Sequence, residues 1–147
     1  ASYVYKRQRM GHEKAVFGLS DGGSHCGLVC DASMPTFLLT YWARDRVKGE
    51  RFPLEWLVEQ QTKKTAEFYG MDDRGVIAPG MRADLNVIDF EGLSLPQPEY
   101  VNDLPGGAGR YIQGSSGYDY TIVNGRVFMD HGEHAGSLDG RLVRAGQ

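Results

Sequence analysis

A short run of apolar residues that ends in an aspartate and two glycines constrains the fold of this chain more than any other feature. Residues 15–19 are continuously apolar or glycine, and they are followed by Ser20, Asp21, Gly22 and Gly23. Such a run is typical of a strand buried on both faces, as in a parallel sheet that helices cover. The sequence therefore predicts an α/β protein with a carboxylate just past the end of a central strand.

Chain length and composition limit the alternatives. With 147 residues the chain is too short for a complete eight-stranded α/β barrel, which takes about 250 residues. A natural domain seldom opens on a central strand, so we expect a fragment of a larger fold. The formal charge is −3 without a basic stripe, and no apolar run reaches the length of a membrane span. We therefore expect no nucleic acid or membrane partner. Two cysteines and no signal peptide favour the cytoplasm.

The character of the chain changes near residue 70. Before it, apolar residues follow helical spacing from Pro35 and again from Pro53, with a possible new helix start at Thr62 and a helix end at Gly70. After it, β-prone runs alternate with turns, at residues 83–90, 110–113, 120–123, 126–129 and 142–143. Asn124-Gly125 predicts a type I′ hairpin turn. We interpret residues 1–70 as an α/β part and residues 71–147 as an all-β part.

Asp21 is the residue most expected to carry chemistry. Open-sheet and barrel enzymes build their sites at the carboxyl ends of strands, and Gly22 and Gly23 allow a ligand to approach the backbone closely. The position is equally consistent with a turn in which Asp21 accepts hydrogen bonds from the following amides.

The remaining candidate site residues are better explained by packing or by solvated turns than by chemistry. Cys26 and Cys30 are too far apart for the common zinc pair and lack a second pair, so we expect packing residues. His131 and His134 lie with acidic neighbours at a hairpin end; they could hold a metal adventitiously, but a solvated turn is the expectation. Trp42 and Trp56 are expected in the core.

Several segments together resemble the amidohydrolase superfamily. Residues 17–25 are similar to its last barrel strand and the loop that follows. The family is also similar to this chain at residues 30–36, 43–46 and 61–66. The most specific segment is 75–89, which matches G-x-I-x-x-G-x-x-A-D-hydrophobic-x-hydrophobic-x-D, and residues 122–133 resemble the closing hairpin. Within the superfamily, the chain most resembles the D-aminoacylases, which hydrolyse N-acyl-D-amino acids.

The resemblance implies a fold and a role for each site residue. Residues 1–70 would be the end of a metal-dependent (β/α)8 barrel, and residues 71–147 the C-terminal part of a small β-sandwich. Asp21 would lie beside one or two divalent ions, usually zinc, accept a proton from metal-bound water and pass it to the departing amine. Gly22 and Gly23 would make room for the substrate, and His25 would contact its carboxylate.

The resemblance also implies that much of the site lies elsewhere. The family's other metal ligands, a His-x-His pair among them, have no counterpart here. We therefore expect the chain alone to be inactive. We expect it to need the preceding part of the barrel, or to associate as a homo-oligomer. Two alternatives stay open. One is a ring amidohydrolase similar to dihydroorotase or hydantoinase, and the other is a non-catalytic β-rich assembly module in which Asp21 only caps a turn.

Overall fold

The computed structural model describes residues 2–18, 27–28 and 30–144, with the side chains of the first helix described from Lys6 onward. Helices precede two antiparallel sheets along the chain, which makes this a small α/β structure. Within the described residues, no helix is long and apolar enough to cross a membrane.

The N-terminal part differs from the sequence prediction. Residues 2–10, which lack a clean apolar period, form helix α1 (Ser2–Met10). Arg7 in this helix pairs with Glu50 at 2.9 Å, and its guanidinium lies 4.9 Å from the centre of the Phe52 ring. The predicted strand is wrong for residues 15–18, which are not in a β-strand. A strand depends on hydrogen bonds to a neighbouring strand, and the described strands all lie after residue 84 and pair among themselves.

The two helical regions predicted from Pro35 and Pro53 are confirmed. Helix α2 (Met34–Phe37) has a proline in its first turn and runs directly into a π-helix (Leu38–Asp45). The wider turn of the π-helix is visible where the Arg46 amide donates to the carbonyl of Tyr41, five residues earlier, at 2.9 Å. Apolar spacing predicted a helix here but not this wider turn.

The second region consists of two helices, α3 (Leu54–Gln61) and α4 (Lys63–Phe68). The break at Thr62 was predicted and is confirmed, but the prediction that its side chain caps the second helix is wrong. Thr62 makes no capping hydrogen bond to α4; its hydroxyl donates instead to the carbonyl of Val58 at 2.8 Å. After α4, Gly70 has a φ of +67°, as expected of a glycine that ends a helix.

The β part contains a four-stranded antiparallel sheet in the order β1-β4-β5-β6 and a separate pair, β2-β3. Its strands are β1 (Leu85–Ile88), β2 (Glu99–Val101), β3 (Arg110–Ile112), β4 (Tyr118–Val123), β5 (Arg126–Asp130) and β6 (Glu133–His134), with a 3₁₀ turn at Pro105–Gly107. Four predicted runs are strands, whereas residues 142–143 are irregular.

The predicted type I′ turn between β4 and β5 is confirmed, because Asn124 and Gly125 have φ values of +52° and +80°.

One apolar core joins the helices to the β part. It consists of the buried residues Leu39, Trp42, Phe52, Leu57 and Leu93, of which Leu57 and Leu93 are fully buried. The ring of Trp56 stacks on that of Phe52 with 4.5 Å between centres. The expectation that Trp42 and Trp56 belong to the core is therefore confirmed. Leu93 comes from the chain that follows β1, so burial of apolar area links residues on both sides of position 70.

Arg44 connects the same two parts through hydrogen bonds. Its guanidinium, at the end of the π-helix, donates to the carbonyls of Phe90, Glu91 at 3.0 Å and Leu93 at 2.8 Å. It also pairs with the neighbouring Asp45 at 2.7 Å, and this contact lowers the pKa of the Asp45 carboxyl. The guanidinium uses five hydrogen bonds here, three to carbonyls of one bend and two to the Asp45 carboxylate, whereas a lysine ammonium has only three donors.

The hairpin end between β5 and β6 is a two-residue turn at His131 and Gly132, both with positive φ. His131 Nδ1 lies 2.7 Å from Asp130 Oδ1, and its Nε2 lies 3.8 Å from Asp119 Oδ1. The hydrogen bond to Asp130, with the charges of Asp130 and Asp119, raises the pKa of the exposed His131 side chain.

We predict that Arg44→Lys destabilises the chain by about 1–3 kcal/mol, because three donors on one ammonium nitrogen cannot replace hydrogen bonds made from three guanidinium nitrogens, so partly buried carbonyls lose their donors. Chemical denaturation followed by Trp fluorescence measures this loss. The matched control is Asp45→Asn, which removes the ion pair but leaves the carbonyl contacts in place. Asp45 is 52% exposed, so this control costs less than about 1 kcal/mol. Equal losses for the two variants would show that the carbonyl contacts contribute little.

We further predict that the pKa of His131, measured by NMR titration, lies above the ordinary histidine value. Asp130→Asn lowers it more than Asp119→Asn does, because Asp130 is the closer partner. Since a raised pKa favours the charged form in the folded chain, His131 stabilises the fold at acidic pH, and that stabilisation is lost as the pH rises through the raised pKa. A His131 pKa insensitive to Asp130→Asn would contradict this assignment.

Candidate functional site

The predicted site residues Asp21, Gly22, Gly23 and His25 lie outside the described residues, and so does Cys26. Their assigned roles stay predictions. Cys30 is described as a half-buried thiol without a disulfide. The structure describes the chain before the predicted site segment, residues 19–26, and the chain after it at residues 27–28 and from residue 30 onward.

The chain that precedes this segment packs against the helices. Phe17, four residues before Asp21, packs edge-to-face on Trp56 with 5.7 Å between ring centres, and it borders the apolar core. Slightly earlier, the Lys64 ammonium donates to the carbonyl of Glu13 at 3.0 Å. Ring packing and a charged hydrogen bond thus attach the chain to α3 and α4 before it enters the site segment.

The chain that follows this segment contacts the β part at Ser33 and Thr36. The hydroxyl of Ser33 donates to Gln113 Oε1, and the hydroxyls of Thr36 and Tyr118 lie 2.7 Å apart. Sequence reasoning missed the role of these four residues. Ser33 and Thr36 stand in a segment that carries the family resemblance, but no local pattern indicates a partner 80 or 82 positions further along the chain.

The described residues do not fit a metal centre. Among residues 6–18, 27–28 and 30–144, no group of three or more histidine, cysteine, aspartate or glutamate side chains is placed to hold an ion. A catalytic zinc usually needs three protein ligands. His131 and His134 therefore do not complete a site with their acidic neighbours, and the His131 side chain is 66% exposed.

A cleft of about 620 Å³ extends from Pro35 across α3 to β1. Apolar side chains form much of its wall, among them Leu39, Val58 and Ile88, and the carboxylates of Glu55 and Glu59 also line it. Arg82 and Asp84 line it as well and form an ion pair with 2.9 Å between Arg82 Nε and Asp84 Oδ2. Among the described residues, its lining contains no histidine or cysteine.

Arg46 is a buried charge next to the core. Arg46 is only 4% exposed. Its Nε and Nη1 have no hydrogen-bond partner in the described structure. The guanidinium lies 4.3 Å from the centre of the Trp42 ring and 5.9 Å from that of Tyr41. Cation–π attraction to these rings offsets part of the cost of burying the charge.

Comparison with known proteins identifies the family. The model of the amidohydrolase family matches residues 7–129. A dihydroorotase from Lactobacillus acidophilus is 28% identical over 136 residues, which cover 90% of this chain and 28% of the dihydroorotase. The chain thus spans little more than a quarter of the length of that curated relative, and no solved structure matches it. Since the family model covers well over half of the sequence, this chain belongs to the amidohydrolase family.

Proposed function

We propose that this chain contributes to a metal-dependent hydrolase that cleaves the amide bond of N-acyl amino acids, with D configuration at the amino acid. The observation that carries the proposal is the family match, which spans residues 7–129 and so includes the segment with Asp21. The D-aminoacylase specificity is supported by the resemblance of residues 17–25 and 75–89 in the sequence. The acyclic substrate agrees with the Gly-Gly pair that leaves space after Asp21.

Asp21 is the proton-transfer group in this proposal. Its carboxylate accepts a proton as water attacks the amide carbonyl, and it returns that proton to the nitrogen as the carbon–nitrogen bond breaks. Gly22 and Gly23 leave room for the substrate backbone, and His25 contacts the substrate carboxylate. The family typically depends on divalent ions, zinc in this proposal. The described residues do not form such a metal centre.

The proposed hydrolase needs more than this chain. We infer that residues 1–70 complete a (β/α)8 barrel and residues 71–147 a β-sandwich, whose remaining strands come from further polypeptide or from a second subunit. The 28% coverage of the dihydroorotase agrees with this inference. Metal ligands beyond Asp21 are then supplied by that remaining part.

A ring amidohydrolase is the second candidate, and the similarity to a dihydroorotase favours it. The chemistry at Asp21 would be the same, since a ring amide also breaks by attack of water and protonation of nitrogen. The difference lies in the substrate, whose leaving amine stays attached to the product after a ring opens.

We predict that Asp21→Asn in the complete amidohydrolase lowers kcat by about 10²–10⁴-fold, because an amide cannot accept and return the proton. Asp72→Asn is the matched control, since Asp72 is exposed and lies in a turn well outside the site segment; it leaves kcat unchanged. The 147-residue chain alone serves as the inactive reference. Normal turnover by Asp21→Asn would overturn the role given to Asp21 and would favour a non-catalytic module.

We also predict that the complete enzyme hydrolyses N-acetyl-D-methionine with a higher kcat/KM than N-acetyl-L-methionine. The value is also higher than that for opening the ring of dihydroorotate. The release of product amine measures the first two reactions, and loss of the ring measures the third. A higher kcat/KM for dihydroorotate would replace the first candidate with the ring amidohydrolase. A higher value for the L compound would retain the reaction and reject the D configuration.

A further inference from the structure

Both amides of the turn between β4 and β5 are hydrogen-bonded to the chain just before β1. The Asn124 amide donates to Asp84 Oδ1 at 2.7 Å, and the Gly125 amide donates to the carbonyl of Ala83 at 2.9 Å. A Cβ built on Gly125 would lie 4.0 Å from the Cβ of Ala83. The type I′ turn is therefore held against residues 83 and 84, which come much earlier in the chain.

The Asp84 carboxylate is itself held in place by two arginines. Its Oδ2 lies 2.9 Å from Arg82 Nε and 3.5 Å from Arg74 Nη1. One oxygen of the carboxylate thus contacts the guanidinium groups, and the other accepts the hydrogen bond from the Asn124 amide. Because the acceptor is charged, this hydrogen bond is stronger than one between neutral groups.

Asn124 and Gly125 are also a chemically reactive pair. In an Asn-Gly sequence the glycine nitrogen can attack the side-chain carbonyl carbon of the asparagine, because glycine has no side chain that hinders the approach. Both residues are exposed, so hydroxide can reach the glycine amide and remove its proton. The attack closes a five-membered succinimide ring, and ammonia leaves as the carboxamide carbon–nitrogen bond breaks. Water then opens the ring to aspartate or isoaspartate.

The two hydrogen bonds of the turn oppose the first step of this reaction. The Gly125 nitrogen becomes a nucleophile only after it loses its proton, and in the folded chain that proton is bonded to the Ala83 carbonyl. The attack also needs the backbone of Asn124 to rotate, whereas the bond to Asp84 holds this residue in the turn, at a φ of +52°. Deamidation therefore requires the turn to open, and its rate follows the population of the open turn.

We propose that Asn124 is a modification site, at which deamidation is slowed by the hydrogen bonds from the turn to Asp84 and Ala83. The site is separate from the proposed amide hydrolysis and does not depend on it. Its products weaken the four-stranded sheet, in which β4 and β5 are the two central strands. An aspartate adds a negative charge next to the Asp84 carboxylate, and an isoaspartate adds a methylene to the backbone of a two-residue turn.

The reaction is followed by mass spectrometry of the tryptic peptide 111–126, in the complete amidohydrolase kept at mildly alkaline pH. Deamidation changes the mass of this peptide, because an amide becomes a carboxylic acid. We expect a rate about tenfold lower in the folded protein than in the same protein unfolded in guanidinium chloride, since a hydrogen bond to a charged group shifts an equilibrium by at least about that factor. Asn124→Gly also allows a type I′ turn, and it abolishes the mass change.

Asp84→Ala measures the contribution of the carboxylate. We expect it to speed deamidation of Asn124 by about 10–100-fold, because it removes the charged acceptor of the turn. Asp84→Asn keeps an oxygen that can accept the Asn124 amide, so its rate lies between those of Asp84→Ala and the unchanged protein. The matched control is Asp103→Ala. It also removes an aspartate paired with an arginine, Arg110, at 2.7 Å, but neither amide of the turn donates to it, so the rate stays unchanged.

Arg44→Lys separates the local contact from overall stability. It destabilises the fold at the bend after β1 and leaves both hydrogen bonds of the turn in place. We expect it to change the deamidation rate of Asn124 little. If Arg44→Lys and Asp84→Ala speed the reaction equally, the protection comes from overall stability and the role given to Asp84 is wrong. Equal rates in the folded and unfolded protein, or no mass change in either, would overturn the proposed site.

Discussion

The contact of Arg44 with the carbonyls of Phe90, Glu91 and Leu93 determines how the helices meet the β part. These carbonyls belong to a bend just after β1, and they turn inward where strand pairing has ended. A guanidinium from the π-helix satisfies them, which allows the bend to lie against the helices and Leu93 to be fully buried. The end of β1 lies just before this bend and the bridge between Ser94 and Ser116 just after it, so the same charged side chain lies where both meet the helices.

Local signals explain which elements were predictable. Helical spacing after Pro35 and Pro53 and the Asn124-Gly125 turn act within a few residues, and the structure contains the corresponding helices and hairpin. Strands β2 and β6 were missed, since one is three residues long and the other two, too short for alternation to be recognised. The apolar run at residues 15–18 has strand composition, but a strand also needs a partner, and among the described residues none pairs with it. Composition alone does not supply that partner.

The proposed site rests on a different kind of signal from the fold. Asp21 stands out because of its place after an apolar run and before two glycines, which is a local pattern that the sequence displays directly, and its role stays a prediction. The hydrogen bond between Ser33 and Gln113 does not stand out, because these are ordinary polar residues 80 positions apart. The fold creates this contact by bringing Gln113, next to β3, to the start of α2. A single sequence therefore displays a local candidate such as Asp21 more readily than a contact between distant residues.

Membership in the amidohydrolase family constrains the bond that is broken more than the molecule that contains it. Acyclic and ring amides require the same attack and the same protonation of nitrogen, so the task proposed for Asp21 would be the same for either substrate. What differs is the space around the amide and its alignment with the reacting groups. The two proposed substrates are therefore distinguished by their kcat/KM values and not by the role proposed for Asp21.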